Sequence, residues 1–470
     1  MVGASLTDIE GGDRLDDSNS LRTGVSPTSE VPLGVGAQPE GRWSTARPRI
    51  LLIGTLDTKG VEVEYVRGRI RELGAEPVVL DPGILLEASG CVADIPRAEV
   101  ADAAGVPLDD VRAVGSRGAA VEIMERGVAA ISRRLWSEGR LHGVICIGGA
   151  EGALLGAAAM HALPLGVPKV IVTPVASGRR PFGPFTGTSD VLVMHSVIDI
   201  LGLNPISKSI FDNAAAAIVG MVRDAGRPVQ NLEGQSVGVT MVGQTTPGVM
   251  KLRDALEVAG HHAVIFHANG VGGPAMEELV VARSLAGVID YTLGELADTL
   301  MDGVQATGPE RLRVAGQLGL PQVVVPGCVD FFVQGASDTL SEEYRRRKTY
   351  HHNPMATLVR LESDEMAQLG RIVAERLNEA NGPVHVVAPT RGFSISGTEG
   401  GALWDPEADR AFLDSLAENL RDTIPLELVN TSVNDPAFAA LVAERYVSLV
   451  SLKEDSHGAQ IVRPRRPLAR

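Results

Sequence analysis

The sequence predicts an α/β protein with two Rossmann-like domains, each a mainly parallel sheet flanked by helices. Short apolar runs typical of buried strands alternate with longer amphipathic runs typical of helices along most of the chain. Aromatic residues make up only 4% of the chain and there are 53 glycines, so we expect aliphatic cores between many turns. A chain of 470 residues is long enough for two or three such domains.

The first series of alternating elements begins at residue 50. Its apolar runs predict strands at 50–54, 77–81, 143–147 and 168–173. Its amphipathic runs predict helices at 61–73, 117–136, 151–162 and 206–225. Because strands joined by helices pair in parallel through right-handed crossovers, these elements predict one sheet with helices on its faces.

A second series follows a linker-like stretch at about 227–235. Its predicted strands are 236–242, 262–267, 286–291, 321–326, 384–389 and 426–430. Its predicted helices are 247–259, 274–284, 308–319, 363–380, 406–421 and 436–445. The predicted domains are therefore a disordered leader over 1–46, an N-terminal nucleotide-binding domain over 47–230, a C-terminal α/β domain over 231–455 and a basic tail over 456–470.

Charge and cysteine content exclude several classes of partner. The net charge of -15 and a pI of about 5.2 argue against a nucleic acid or an anionic membrane as the main partner. The start of the chain lacks the pattern of a signal peptide, and no apolar run reaches the length needed to span a membrane. Three widely separated cysteines without a CxxC spacing indicate a reducing cytoplasm.

Two glycine-bearing turns, each between a predicted strand and a predicted helix, are the strongest indication of a ligand. They lie at 54–60 (GTLDTKG) and 147–152 (IGGAEG). A strand that runs into such a turn leaves backbone N–H groups pointing at one spot, which favours a phosphate or another anion. The alternative is structural: the first turn caps a helix, and the glycines of the second allow close helix-to-sheet packing.

Charged residues in and near these turns limit how a phosphate could bind. Asp57 would repel it, so we interpret Asp57 as a cap, a partner of a ribose hydroxyl or a cation ligand. Glu151 must turn away or bind a cation for the same reason. Arg117, at the start of a predicted helix, either grips a phosphate through two hydrogen bonds or is a solvated charge at the helix end.

The second half contains two similar turns, 243–248 and 266–273, after adjacent predicted strands. The polar side chains nearby include His267, Glu277 and His352, which are the candidate acid–base groups of a catalytic site. A dyad of Cys328 with a histidine is an alternative nucleophile. No spacing specifies a zinc site. For each of these residues, a packing or capping role is the structural alternative.

Seven motifs occur in a fixed order, at 54–60, 147–152, 195–204, 212–221, 243–247, 266–273 and 351–354. Together they resemble the Tm-one-like ATP-binding family of uncharacterised two-domain proteins, which is related to the N-terminal region of a plant tobamovirus-resistance protein. The resemblance covers about residues 48–450. It implies two Rossmann-like domains, a homodimer, and ATP bound with Mg²⁺ by the N-terminal domain. The nucleotide contacts that it implies are Leu56, Asp57, Thr58, Arg117, Gly148, Gly149, Ala150 and Glu151.

This chain departs from the family pattern at two places. In the family, the turn that corresponds to residues 147–152 usually contains GGSGG. This chain has Ala150 and Glu151 in place of the serine and the glycine after it, so a hydroxyl is lost and an acid is gained. The family tends to have Ser-Gly-Asp where this chain has Arg179 and Arg180 after Ser-Gly. These changes imply either a phosphate position shifted toward the two arginines or a different ligand.

We expect an ATP-binding protein, and we favour an ATP-dependent enzyme that acts on a small substrate, such as a carboxylate, in the interdomain crevice. One alternative is a dimeric binding or regulatory module that the nucleotide stabilises. A further alternative is a nucleotide-independent lyase or hydrolase that uses the second-domain site alone.

Overall fold

The computed structural model describes residues 47–176, 183–224 and 236–458, and of 183–184 and 452–458 only the backbone. The N-terminal part of the chain folds into a five-stranded parallel sheet. Its strands are β1 (Arg49–Ile53), β2 (Glu76–Leu80), β3 (Gly143–Ile147), β4 (Lys169–Thr173) and β5 (Leu192–His195). Its helices are α1 (Leu56–Glu72), α2 (Arg97–Ala103), α3 (Leu108–Ala113), α4 (Arg117–Ser137), α5 (Ala150–His161), α6 (Gly183–Thr186) and α7 (Pro205–Asp224).

The strand order of this sheet is β2-β1-β3-β4-β5. Every residue of β3 and β4 is buried, as expected for strands that are covered on both faces. Helices α1 and α7 pack against one face of the sheet, and α2 to α5 pack against the other. The chain therefore leaves the neighbouring strands β1 and β3 toward opposite faces, which opens a gap between the two turns at the carboxyl edge.

The C-terminal part of the chain contains a six-stranded parallel sheet and a small antiparallel one. The strands of the larger sheet are β6 (Ser236–Met241), β7 (His262–His267), β8 (Gly287–Thr292), β9 (Gln322–Gly327), β13 (Val384–Pro389) and β14 (Leu426–Val429). The helices are α8 (Thr246–Val258), α9 (Gly272–Val281), α10 (Gly294–Met301), α11 (Val314–Gln317), α12 (Glu342–Arg346), α13 (Ser363–Asn378), α14 (Pro406–Asn419) and α15 (Pro436–Gly458).

The larger sheet has the order β14-β13-β9-β8-β6-β7. Counted in chain order, its first strand lies between its second and third, as in the N-terminal sheet. Helices α8 and α15 pack on one face, whereas α9, α10, α13 and α14 pack on the other. The gap between neighbours therefore recurs here, between the turns that follow β6 and β8.

The small sheet lies outside this pattern, and the sequence did not predict it. It consists of β10 (Phe331–Gln334), β12 (Ala356–Arg360) and β11 (Thr349–Asn353), in that order and antiparallel. Most of β11 is exposed, and its side chains are mainly polar. Its residues lack the apolar period that identifies a buried strand, which is why periodicity does not find it.

The predicted fold class is confirmed: both large sheets are parallel and flanked by helices. Helix α1 begins five residues before the predicted start, and α15 runs on to Gly458. The helix predicted at 308–319 is reduced to Val314–Gln317, because Leu312 adopts a left-handed φ of 76°. The leader over 1–46, Arg179 and Arg180, the boundary near 230 and most of the basic tail lie outside the described residues.

Candidate functional site

The gap between β1 and β3 lies at the topological switch point of the N-terminal sheet, where ligands of doubly wound proteins bind. We call the segments 54–58 and 148–151, together with Arg117 at the start of α4, the N-terminal switch point. These segments contain all the nucleotide contacts that the family resemblance implies. The structure thus brings the predicted residues to one edge of one sheet.

The turn after β3 presents free donors. Within the described part of the chain, no group accepts a hydrogen bond from the backbone amides of Gly149, Ala150 and Glu151. These amides belong to the cap and first turn of α5, where helix geometry leaves them without an intrahelical partner. Ala150 is exposed, and nothing lies within 4 Å of a Cβ placed on Gly149. This turn can therefore receive an anion without rearrangement of the backbone.

Arg117 lies across the mouth of this turn. Its Nη2 atom is 2.6 Å from Oε2 of Glu151, and the two side chains are 61% and 42% exposed. Ser116 fixes the start of α4, because its hydroxyl accepts a hydrogen bond from the amide of Ala119. Arg117 is therefore held at the predicted place, but its partner is the acid of the same site.

The turn after β1 is partly satisfied by groups of the protein. The Asp81 carboxylate accepts hydrogen bonds from the amides of Leu56 and Gly83, at 3.0 and 2.9 Å, and it forms a buried ion pair with Arg97. The carbonyl of Thr55 accepts hydrogen bonds from the amides of Thr58 and Lys59. Among the described residues, no group accepts one from the amides of Thr55 and Asp57. This helix start thus already holds one carboxylate of the protein, and two of its amides stay free.

Asp57 and Thr58 have different surroundings. Oδ2 of Asp57 accepts hydrogen bonds from the amides of Leu85 and Leu86, and those two side chains are 56% and 63% exposed. Thr58 is exposed, and its hydroxyl lies 3.1 Å from that of Thr55. Asp57 thus acts as a cap for the loop after β2 and holds two apolar side chains in solvent, while Thr58 offers a hydroxyl to the crevice.

The equivalent gap in the C-terminal sheet is closed. We call the segments 242–246 and 292–295 the C-terminal switch point. Here the hydroxyls of Thr245 and Thr292 lie 2.8 Å apart, and both residues are fully buried. The side-chain carbonyl of the buried Gln244 accepts hydrogen bonds from the amide and hydroxyl of Ser396. The two turns therefore contact each other, and the protein's own side chains occupy the space between them.

The glycine turn after β7 also holds an internal anion. Oε1 of Glu295 accepts hydrogen bonds from the amides of Gly270 and Gly273, at 2.9 and 3.2 Å. Oε2 of Glu295 binds Nε of Arg311 at 2.7 Å. The predicted anion-binding geometry is present, and a buried carboxylate of α10 occupies it.

Glu277 belongs to the same buried cluster. Its Oε1 lies 3.4 Å from Nη1 of Arg311. The other terminal nitrogen of Arg311, Nη2, lies 2.6 Å from Oδ1 of Asp290. Burial raises the pKa of Glu277 to about 7, and the guanidinium of Arg311 opposes that rise. Burial alone would lower the pKa of Arg311, but the surrounding carboxylates raise it above its ordinary value. Glu277 is thus an internal partner of Arg311 and has little access to a substrate.

His267 and His352 lie at the carboxyl edge of the C-terminal sheet and are exposed. His267 ends β7 and pairs in register with Met241 of β6. Cε1 of His352 lies 3.9 Å from a Cβ placed on Gly243, two residues after Met241. The structure thus brings both histidines to one edge and leaves Glu277 buried behind it.

The three cysteines are free and buried. Burial raises the pKa of the Cys328 thiol well above its ordinary value, and Asp330 adds to the rise, so this thiol is a poor nucleophile. In the ranges 47–176, 183–224 and 236–458, no group of three or more His, Cys, Asp and Glu side chains could hold a metal ion. None of the helices described is both long and apolar enough to cross a membrane.

Sequence reasoning missed Asp81 and Arg311, and it found Glu295 only as one of the polar side chains beside the turns, without its role of filling one of them. Each lies far along the chain from the turn it satisfies, for example 25 residues between Leu56 and Asp81. No local spacing identifies such a partner. One general signal was available: some apolar segments contain a charged residue. Such a residue is expected to be buried, and a buried charge needs a partner, but the signal does not say which one.

Comparisons with known proteins give a consistent result. Residues 48–227 match the model of the UPF0261 N-terminal domain, and residues 234–450 match that of the UPF0261 C-terminal domain, both described as an uncharacterised protein family. A UPF0261 protein of Clostridium tetani is 36% identical over 403 residues, which cover 86% of this chain and 99% of that protein.

Two further relatives come from a bacterium and a plant. A UPF0261 protein of Rhizobium meliloti is 36% identical over 401 residues and covers 85% of this chain and 98% of that protein. The ToMV resistance protein Tm-1(GCR237) of Solanum lycopersicum is 32% identical over 425 residues, which cover 86% of this chain and 56% of that protein.

Proposed function

The chain belongs to the uncharacterised protein family UPF0261, and from this premise we propose that it binds ATP with Mg²⁺ at the N-terminal switch point. The family resemblance predicted from the motifs is confirmed, since the tomato ToMV resistance protein is among its relatives. We further propose that the chain is an ATP-dependent enzyme that acts on a small substrate bearing a carboxylate. It works as a homodimer in the reducing cytoplasm, which suits three free thiols.

The open turn after β3 supports this proposal more than any other observation. The free amides of Gly149, Ala150 and Glu151 point out of one turn, where a phosphate could accept hydrogen bonds from them, and Arg117 is beside it. A guanidinium can hold two phosphate oxygens at once, so Arg117 would exchange Glu151 for the ligand. The exposed Leu85 and Leu86, held by Asp57, offer apolar surface to a purine base.

The residues fit the nucleotide unevenly. The turn after β3 suits the phosphate tail. In the turn after β1, Asp81 occupies the amide of Leu56, and the hydroxyl of Thr58 and the amides of Thr55 and Asp57 remain for a ligand. Bound ATP supplies an activated phosphoryl or adenylyl group for the substrate carboxylate. We assign to the exposed His267 and His352 of the C-terminal part the role of holding or moving a proton at the substrate. Glu277 acts behind them as a buried partner of Arg311 and not as a proton carrier.

Calorimetric titration of the purified protein with ATP and Mg²⁺ tests the binding step. We expect saturable heat, and a ligand at 100 times its Kd should raise the free energy of unfolding by about 2.7 kcal/mol. The double variant Arg117→Ala with Thr58→Ala should lose about 1.5–3 kcal/mol of binding for each charge-assisted bond removed. Arg126→Ala, exposed on the same helix α4, is the matched control and should bind as wild type.

Turnover is tested separately. Purified protein, ATP and a library of small carboxylates are assayed for ADP, AMP or pyrophosphate. Release of one of these with a particular carboxylate supports the enzyme. Nucleotide binding without turnover on any member of the library would contradict the enzyme and leave the binding step intact.

A second candidate is a binding module that the nucleotide stabilises. The exposed leucines beside the site favour it, because a pair of apolar side chains held in solvent suits a protein partner. The printed name of the tomato relative, a ToMV resistance protein, is also compatible with a role through binding. Affinity capture from a lysate with and without ATP should then yield partners that differ, and identical partners in both would contradict this candidate.

A further inference from the structure

We propose that Glu151 makes nucleotide binding by this chain depend on a divalent cation, because the cation and Arg117 are alternative counter-ions of the same carboxylate. This inference rests on the proposed ATP site at the N-terminal switch point and concerns what this chain's own acid does there. Glu151 is then a ligand of the cation. The cation replaces Arg117 at this carboxylate, and Arg117 becomes free to bind the phosphates.

The geometry places the acid inside the turn proposed to receive the phosphates. Glu151 is the second residue of α5, so its carboxylate and the free amides of Gly149 and Ala150 share one turn. Its Oε2 atom lies 2.6 Å from Nη2 of Arg117. An anion that approaches these amides therefore meets a carboxylate whose counter-ion, among the described residues, is Arg117.

Charge balance then decides the outcome. If Arg117 stays with Glu151, it contributes little to the phosphates, and if it leaves, Glu151 repels them. A divalent cation resolves the conflict because Mg²⁺ binds through one or two carboxylates plus phosphate oxygens and keeps several waters. Such a cation needs no cage of protein ligands, so the single carboxylate of Glu151 is enough.

The other acids near the site are already engaged. Oδ2 of Asp57 accepts hydrogen bonds from two backbone amides, and Asp81 forms a buried ion pair with Arg97. The Glu151 side chain by contrast is 42% exposed, and its partner Arg117 is more exposed still, at 61%. Such exposed pairs add little to stability, so the Glu151 carboxylate can exchange Arg117 for a hydrated cation.

The test measures binding of adenylyl imidodiphosphate, which is not hydrolysed, with Mg²⁺ and with excess EDTA. Wild type should lose affinity about tenfold or more in EDTA. Glu151→Gln should bind with similar affinity in both conditions, within about twofold, because its neutral amide neither repels the phosphates nor needs the cation. Glu122→Gln, exposed on α4 outside the site, is the matched control and should behave as wild type.

The outcomes separate this inference from the proposed function. If wild type and Glu151→Gln bind the nucleotide with the same dependence on Mg²⁺, the inference is wrong and the ATP site stands. If no protein binds under any condition, the ATP site fails and the inference fails with it. Arg117→Ala supplies a further check: it should weaken binding in both conditions, and an unchanged affinity would remove Arg117 from the phosphates. Unchanged melting temperatures show that each variant is folded.

Discussion

The two sheets of this chain share one strand order, yet their switch points differ in what occupies the gap. The N-terminal one has free amides and an exposed ion pair between Arg117 and Glu151. The C-terminal one is sealed by Thr245 and Thr292, and the neighbouring glycine turn holds Glu295. The same topology thus gives an open turn in one half and two turns in direct contact in the other. Topology alone decides only where a site can form.

With ATP bound as we propose, this difference predicts one nucleotide per chain. A phosphate that entered the C-terminal turn would have to displace Glu295 from two amides and from Arg311, all in a buried environment. A phosphate at the N-terminal turn displaces only an exposed side chain. Breaking a buried charge pair costs several kcal/mol, whereas an exposed pair contributes about 0–1 kcal/mol.

The largest effect should come from Arg311, which holds the C-terminal cluster together. Arg311→Met leaves Glu277, Asp290 and Glu295 buried without their cation, so it should destabilise the protein by about 3–5 kcal/mol. Urea unfolding measures this. Arg313→Met, two residues away and paired with Glu379 at the surface, is the control and should cost under about 1 kcal/mol. Equal effects of the two changes would mean that the cluster is not structural.

The pH dependence of stability should change when Glu277 is neutralised. Its pKa is raised to about 7 in the folded protein, so the stability that it contributes is fully present at low pH and is lost as the pH rises through about 7. Glu277→Gln should therefore flatten the fall in unfolding free energy between about pH 4.5 and 7, by at most about 1.4 kcal/mol per pH unit. Glu418→Gln, exposed on α14, should leave the profile unchanged.

Two adjacent glycines of the open turn should respond differently to alanine. A Cβ on Gly148 would lie 2.7 Å from Cα of Gly152, so Gly148→Ala should cost about 1–3 kcal/mol of stability. A Cβ on Gly149 meets nothing within 4 Å, so Gly149→Ala should fold normally and weaken ATP binding by obstructing the approach of the phosphates. Thermal unfolding and calorimetry of both variants check this, and normal ATP affinity in Gly149→Ala would argue against the site.

The smallest effect on nucleotide binding should come from the seal of the C-terminal switch point. Thr245→Val removes the hydroxyl that contacts Thr292 and also bonds the backbone of Val242, at nearly constant shape, for a cost of about 1–2 kcal/mol. Even then no nucleotide should bind there, because Glu295 and Arg311 remain in place. A second ATP per chain in this variant would mean that the hydroxyl seal, and not the charged cluster, keeps that half empty.

Sequence patterns predicted the fold well because both large sheets are made of apolar strands and periodic helices. Their turns were predicted for the same reason, since glycines after a strand are local signals. The exposed strand β11 and the short helix α11 were not predicted correctly, because one lacks an apolar period and the other depends on the backbone of Leu312. Which turn is open could not be predicted, because Asp81 and Glu295 reach their turns through tertiary contacts.

We propose that each chain binds one nucleotide, at its open N-terminal switch point. Native mass spectrometry of the wild type with ATP and Mg²⁺ tests it most directly, beside Gly149→Ala and Thr245→Val. We expect one ATP per chain in the wild type and in Thr245→Val, and reduced occupancy in Gly149→Ala. Two nucleotides per chain, none at all, or full occupancy in Gly149→Ala would contradict it.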